Sequence, residues 1–268
     1  MPILHIVVLT LVQGITEFLP ISSSGHLVLV PIFTGWPDHG HIVDVAVHVG
    51  TLGAVILYFW RDIIAMLKGL VMAARGRNDP YAKLFGLIVL ATIPVIAAGY
   101  GLNYYGVDSL RSLNIIAWTT LGFGIFLWIA DKAGMTLRRV EHLGIGDAII
   151  IGFAQVLALV PGTSRSGITM SAARILGMER GDAARFSMLM SIPTIIGAGT
   201  LSGLDLYRIG DLSLTVDAAV AAGLSLVIAM LAISFLMAWL RHSSFAPFAV
   251  YRIILGGGLL GLSYGYLS

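Results

Sequence analysis

The chain has 268 residues, of which 11% are charged and 57% hydrophobic, at a mean hydropathy of +0.92, against about 25% charged in ordinary globular domains. That balance excludes a soluble fold and reads as a single integral membrane domain over 1–268, and a net charge of only +2 argues against a nucleic-acid partner. No cysteine is present, which removes disulfides and thiol nucleophiles.

In chain order, the N-terminus MPILHIVVLTLVQ lacks the basic start of a signal peptide and is expected to remain on the mature protein. The first apolar segment, 2–33, is broken by Pro20-Ile21-Ser22-Ser23-Ser24-Gly25-His26, just after its one acidic residue, Glu17. Three stretches then read as membrane spans, roughly 41–60, 84–107 and 112–130, Asp44 and His48 making the first less pure. A span needs about 20 mostly apolar residues. Segment 146–176 is again broken, at Pro161-Gly162-Thr163-Ser164-Arg165-Ser166-Gly167, and three further spans follow at roughly 186–204, 218–240 and 248–267. The arms beyond the two turns have only about eleven residues, hence about 16 Å of helix. They are predicted to dip into the bilayer and return, which requires protein or a wet cavity around them.

Basic residues orient these elements. Loop 61–81 carries Arg61, Lys68, Arg75 and Arg77, loop 131–145 carries Lys132, Arg138 and Arg139, and Arg180 and Arg241 lie on the same side; the opposite loops hold only Arg111 and Arg208. The positive-inside bias makes the richer side cytoplasmic and puts both termini outside. The segments VQGITEFLPISSSGH and AQVLALVPGTSRSGI share a Gln, an apolar run, a Pro and a hydroxyl-rich turn ending in Gly, with one gap. The predicted fold is therefore all-α: six transmembrane helices plus two re-entrant hairpins, in inverted-topology repeats of approximately 1–131 and 132–268.

Arg165 is the most informative residue, because an ionisable group in an apolar span is costly and marks a functional site. The residues Ser22, Ser24, Gly25, Gly162, Thr163, Ser164, Ser166 and Gly167 stand where helices restart, and free N–H groups there attract anions. With the planar fork of Arg165 they suit a phosphate or diphosphate. Glu17 and Gln13 share one helix face and are candidate ligands for a hard cation such as Mg²⁺ or Ca²⁺. Ser23 offers a nucleophilic hydroxyl, and His26 an acid–base group near neutrality. Each residue also has a packing reading, and Glu17 with Arg165 has one as a plain ion pair between repeats. His5, His39 and His41 read as interfacial residues, and Asp44 and Arg185 as a structural pair between the repeats.

QGITEFLPISSSGH at 13–26 and PGTSRSG at 161–167 resemble the two signature motifs of the bacterial undecaprenyl-diphosphate phosphatase family, linked to bacitracin resistance. HVGTLGAVILYFWRDI at 48–63 and AARFSMLMSIPTIIGAG at 183–199 are similar to the spans that follow them in that family. The resemblance implies a multi-pass enzyme of the bacterial cytoplasmic membrane, with its site open to the periplasm or exterior. It would cleave a C55 polyprenyl diphosphate to the monophosphate, regenerating the lipid carrier for peptidoglycan and other cell-wall polymers. It also implies dependence on a divalent cation, and places the family's essential carboxylate on Glu17, its serine nucleophile on Ser23, its histidine on His26 and its phosphate-binding arginine on Arg165. Where the family admits Glu or Gln, this chain has Gln13, so its first motif brings a single carboxylate.

Two rival readings stand beside it. A polyprenyl-phosphate transporter or flippase would share the inverted-repeat architecture but has no use for a nucleophile. Acid-phosphatase-like lipid phosphatases share a Ser-Gly-His element but need a distal histidine, and none lies between Arg165 and His242. GGGLLG at 256–261 suggests a partner span and hence a homodimer.

Overall fold

Apolar runs of helical length, separated by Pro, Gly and charge, fold as the sequence predicts into helices alone. The computed structural model describes residues 2–36, 40–105, 110, 112–209 and 212–265. Among them are eleven α-helices and no strand: α1 Ile3–Thr16, α2 Ser23–Thr34, α3 Gly40–Tyr58, α4 Trp60–Ala74, α5 Pro80–Tyr105, α6 Leu113–Ala133, α7 Ile145–Val156, α8 Arg165–Ile175, α9 Arg180–Ile209, α10 Leu212–Trp239 and α11 Ala246–Ser263.

Among the described residues four helical stretches are long and apolar enough to cross a membrane: Pro80–Leu102, Leu113–Ala133, Val216–Trp239 and Ala246–Ser263, with mean hydropathies of 2.0, 1.7, 2.5 and 1.4. They fall on four of the predicted spans, and the protein is a multi-pass membrane protein. The other two predicted spans lie on α3 and α9. Along α10 the exposed residues Val216, Val220, Leu224, Val227, Leu231 and Phe235 recur every three or four positions. That leaves one face of the helix largely apolar at the surface, with the hydroxyl of exposed Ser234 bonded back to the Met230 carbonyl, as contact with lipid favours.

Segment 61–81 is not the loop that its charges suggest, for most of it is α4. Trp60, Ile64, Leu67 and Val71 form an exposed apolar stripe while Met66 is buried, a helical period that outweighs the scattered basic residues. Gly69 permits close approach to the next helix, since a Cβ there would stand 2.7 Å from the Ala82 nitrogen.

The helices of the two chain halves pack crosswise. Helix α1 packs on α10 and α7 on α5, while α3 contacts both α10 and α9, and α6 lies along α11. Gly256, within GGGLLG, lies against Leu121 of α6 in the same chain, a Cβ there meeting the Leu121 nitrogen at 2.6 Å. That glycine therefore serves internal packing. At the C-terminal end of α6, buried Asp131 accepts from Arg180 Nε at 2.7 Å and from the Phe245 N–H at 3.1 Å. Arg174, also buried, lies 3.4 Å from the same carboxylate, so one acid binds α6, α8, α9 and the start of α11. Together these contacts fix the four short helices α1, α2, α7 and α8, whose two connecting turns carry the candidate site.

Candidate active site

Both turns are built on the same backbone device. Ser22 and Ser164 adopt φ of 76° and 72° and are the only non-glycine residues with positive φ among the described residues. Such strain costs on the order of 1–3 kcal/mol per residue and concentrates at functional sites. Each serine caps the helix that follows: the Gly25 N–H donates to Ser22 Oγ at 3.3 Å and the Gly167 N–H to Ser164 Oγ at 3.1 Å. Each also contacts the hydroxyl two residues on, Ser24 at 3.4 Å and Ser166 at 3.2 Å. Gln13 and Gln155, Ser22 and Ser164, Ser23 and Arg165, and Gly25 and Gly167 stand at one constant offset, with only the prolines out by one. No gap is needed within the turns.

The turns meet. Ser166 Oγ donates to the Leu19 carbonyl at 3.0 Å, and a Cβ added at Gly25 would stand 3.5 Å from Gly162 Cα. Glu17 lies at this junction, its side chain 6% exposed beside an Arg165 side chain 13% exposed. Arg165 Nη2 donates to Glu17 Oε1 at 3.2 Å. The other carboxylate oxygen, Oε2, accepts from Ser23 Oγ at 2.7 Å and from Gln13 Nε2 at 2.9 Å, and His48 Nε2 stands 3.8 Å away. Arg165 Nη1 donates to the Ser187 carbonyl at 3.1 Å, which ties the guanidinium to α9. Gln13 Oε1 is buried with no hydrogen-bond partner, an orphan that calls for a ligand or water at this point. Among the described residues no group of three or more His, Asp or Glu forms a ready metal cage.

A hydroxyl donating a short hydrogen bond to a buried carboxylate is the geometry a nucleophile and its base require, and here an arginine donates to the other oxygen of the same carboxylate. Glu17, Ser23, Gln13 and Arg165 are therefore brought together. The remaining predicted residues divide. Ser24 is exposed, while Ser22, Ser164 and Ser166 are buried and spend their hydroxyls on caps and on the other turn. Thr163 is fully buried and its Oγ1 is unpartnered. Gly162, at φ 89°, is needed because a Cβ would stand 2.2 Å from Thr119 Oγ1. His26 sits one turn beyond Ser22: Nδ1 bonds the Ser22 carbonyl at 2.6 Å, and Nε2 bonds the Tyr251 hydroxyl at 2.7 Å. Both ring nitrogens are thus engaged elsewhere than at Ser23.

Outside this cluster, Arg185 pairs with Asp62 and approaches Asp182 to 3.9 Å. The predicted partner Asp44 has a side chain outside the described residues, as do His39 and His41. His5 stacks on Trp36 with ring centroids 3.8 Å apart. A cavity of about 790 Å³, lined by Trp128, Trp239 and Pro247, opens further along α6 and includes none of the Glu17 cluster.

Sequence reasoning misses two residues. His48 adjoins Glu17 and was legible only as an impurity in a span. Arg252, on α11, is fully buried and donates to the carbonyls of Gly162 and Thr163 at 2.8 Å each, Thr120 at 3.3 Å, and Pro20 and Thr119 at 3.5 Å. The rule that singles out Arg165, a charge within an apolar stretch, applies equally to Arg252 within 248–267.

Comparison with known proteins bears on this geometry. The model of the family described as "Bacitracin resistance protein BacA" matches residues 6–258. The chain is 52% identical over 271 residues to a Rhodospirillum rubrum protein named undecaprenyl-diphosphatase 1, covering 98% of this chain and 96% of that one. A Ruegeria pomeroyi protein named undecaprenyl-diphosphatase is 51% identical over 266 residues, covering 98% of this chain and 100% of its own. A Jannaschia protein of the same name is 50% identical over the same length and coverage.

Proposed function

The chain belongs to the bacitracin resistance protein family, and we propose that its Glu17–Ser23–Arg165 cluster hydrolyses undecaprenyl diphosphate to undecaprenyl phosphate and inorganic phosphate. The observation that carries the proposed site is the meeting on one carboxylate of Ser23 Oγ, at 2.7 Å, and of Arg165, 148 residues away from Glu17 in sequence, at 3.2 Å. A carrier needs a binding site but no hydroxyl poised on a base, so the hydrolase reading is preferred to a flippase.

In the proposed sequence, Glu17 Oε2 takes the proton of Ser23 as Oγ attacks the terminal phosphorus. The Oγ–P bond forms, the bridging P–O bond breaks, and undecaprenyl phosphate leaves. Water then attacks the phosphoserine: its O–P bond forms as the Ser23 Oγ–P bond breaks, Glu17 returns its proton to Ser23 Oγ, and inorganic phosphate leaves carrying the proton lost by the water. Arg165 and the free N–H groups at the start of α2 and α8 hold the phosphoryl oxygens, and such preorganised positive charge supplies most of the rate in phosphoryl transfer. His26 fixes the Ser22 carbonyl and so aims the neighbouring Ser23.

The donors present fit a hard divalent cation that arrives with the substrate. Glu17 and the orphaned Gln13 Oε1 would hold it from the protein side, and Mg²⁺ in particular is commonly bound by one or two protein oxygens plus substrate phosphates and water. When bound it would neutralise charge on the diphosphate.

The topology proposed for this chemistry adds α3 and α9 to the four long apolar helices as spans and makes α1–α2 and α7–α8 two re-entrant hairpins. The repeats, approximately 1–131 and 132–268, would then be inverted, with both termini and the site on the periplasmic side of the cytoplasmic membrane. Crosswise packing of α1 on α10 and α7 on α5 supports this arrangement. The polyprenyl tail would stay in the bilayer beside the exposed apolar faces.

Phosphate release from undecaprenyl diphosphate by the purified full chain, with and without chelator, tests the reading. Wild type is expected to release phosphate, chelator to suppress it, and Glu17→Gln to lose activity by about a thousandfold. Full activity of Glu17→Gln removes the proposed site.

A further inference from the structure

Arg252 is a fully buried cation bonded to both turns, and the proposed reaction makes no use of it. Its five bonds all go to backbone carbonyls, two from α6 (Thr119 and Thr120), two from the second turn (Gly162 and Thr163) and one from the first (Pro20). Among the described residues no carboxylate pairs with it. Burying an arginine without a counter-ion is expensive, and removing one acceptor at a time would leave donors unsatisfied. A residue required only for packing has cheaper apolar alternatives at 0% exposure.

Two consequences follow from these bonds. The first concerns direction. In a planar trans peptide the C=O and the following N–H point opposite ways. A Thr163 carbonyl turned back onto Arg252 therefore turns the Ser164 N–H away from it, towards the side on which α8 begins. Carbonyls of the turns left facing the site would instead repel an anion. The second concerns charge. Glu17 and Arg165 form a pair at 3.2 Å and offset each other, whereas Arg252 has no carboxylate partner among the described residues and so adds positive charge beside a site proposed to take a diphosphate. A guanidinium in a dry site acts on a neighbouring anion with little screening.

We infer that Arg252 is a positioning residue of the diphosphate site. It draws the carbonyls of both turns away from the phosphates and adds positive charge beyond the Glu17–Arg165 pair and the cation that arrives with the substrate. The inference rests on the phosphatase reading. Its two parts separate by substitution: lysine keeps the charge but cannot fork across carbonyls from three elements, whereas methionine keeps the approximate volume and loses both.

The experiment measures kcat and KM for undecaprenyl diphosphate, by phosphate release, and inhibition by inorganic pyrophosphate, using the purified full chain as wild type, Arg252→Lys and Arg252→Met. Thermal unfolding in the same detergent reports whether each variant folds. For Arg252→Lys the expected result is a kcat lowered about tenfold, with KM and pyrophosphate inhibition within about threefold of wild type. For Arg252→Met kcat should fall by about a hundredfold or more, with KM raised and pyrophosphate inhibition weakened by about tenfold. Wild-type kinetics in both folded variants overturns the inference, as does an equal pyrophosphate inhibition constant in the two. If Arg252→Met does not fold, Arg252→Gln replaces it. If neither neutral variant folds, the lysine variant decides, since a kcat equal to wild type assigns Arg252 to folding alone and a lowered kcat at unchanged KM sustains its role. A wild type that releases no phosphate would instead remove the phosphatase reading itself.

Discussion

In the turn after α1, Ser22 stands at φ 76° and is followed by Ser23; in the turn after α7, Ser164 stands at φ 72° and is followed by Arg165. The caps match to within a few tenths of an ångström, at 3.3 and 3.1 Å. What differs is the side chain at the next position, and the residue five positions before the strained serine, Glu17 in one half and Leu159 in the other. One half thus brings the hydroxyl and its base, and the other brings the cation. The strained serine, cap and glycine recur because they build a turn, while the groups proposed to act on a phosphate differ, since two copies of either alone would not make the proposed site. Neither half is complete without its neighbour.

The largest effect should come from breaking that division of labour. Ser23→Ala and Arg165→Ala are each expected to lower kcat/KM about a thousandfold, and the double variant to lose little more than either alone, because groups that act as one unit are not additive. Phosphate release by the three proteins is the measurement. Losses that multiply in the double variant would mean that the turns act independently. A second asymmetry is steric. The position equivalent to Pro20 is Gly162, at φ 89°, with Thr119 Oγ1 2.2 Å and the Ile116 carbonyl 2.7 Å from any added Cβ. Gly35, at φ 67°, has nothing within 4 Å. Gly162→Ala is expected to cost roughly 3 kcal/mol or more and Gly35→Ala about 1 kcal/mol, read from thermal unfolding in detergent.

Much of this site was legible in the chain, for a physical reason. Hydrocarbon leaves few explanations for Glu17, Arg165 or a run of hydroxyls, so each stands out against an apolar background. The same background hid Arg252, because α11 otherwise reads as an uninterrupted apolar run and its one charge was outweighed by its neighbours. Nor could sequence assign the hydroxyls. Ser22, Ser23 and Ser24 are chemically identical, and only the backbone turn at Ser22 decides that one caps, one faces Glu17 and one is exposed. Segment 61–81 misled through its charges, since positive residues mark a side of the membrane and say nothing of whether the backbone there is helical.

A smaller effect sharpens the likeness of the turns. Ser22→Ala and Ser164→Ala each lose a cap and place a Cβ-bearing residue without that bond at positive φ, and each should cost about 1–2 kcal/mol. Glycine at either position loses the same hydrogen bond but relieves the backbone, and should cost only a few tenths of a kcal/mol. Equal values at the two sites are the expected outcome of thermal unfolding, and a difference of several-fold would show that only one turn is held under strain by its surroundings.

The smallest effect distinguishes how the two hairpins begin. Helix α1 starts at Ile3 after Pro2 with no side-chain cap and no acidic residue in its first turn. Helix α7 is anchored by Asp147, which accepts from the Gly144 N–H at 2.8 Å and takes both Nη atoms of Arg138, at 3.0 and 2.6 Å. The Arg138 hydrogen bonds hold the Asp147 carboxyl below its ordinary value, despite partial burial that opposes them. A carboxylate whose folded pKa is depressed adds stability above its unfolded pKa, near 4, and that stability is lost as pH falls through the lower folded value. Arg138 is 35% exposed, so the contribution is discounted for solvent to less than about 1 kcal/mol. The thermal midpoint should therefore drop slightly more below about pH 4 in wild type than in Arg138→Met, in which Asp147 keeps only the Gly144 N–H and the weaker attraction of Lys83. Because the pair touches only the second hairpin, the loosening should appear as faster amide exchange around α7 with α1 unchanged, and equal acceleration in both would mean that acid acts on the bundle as a whole.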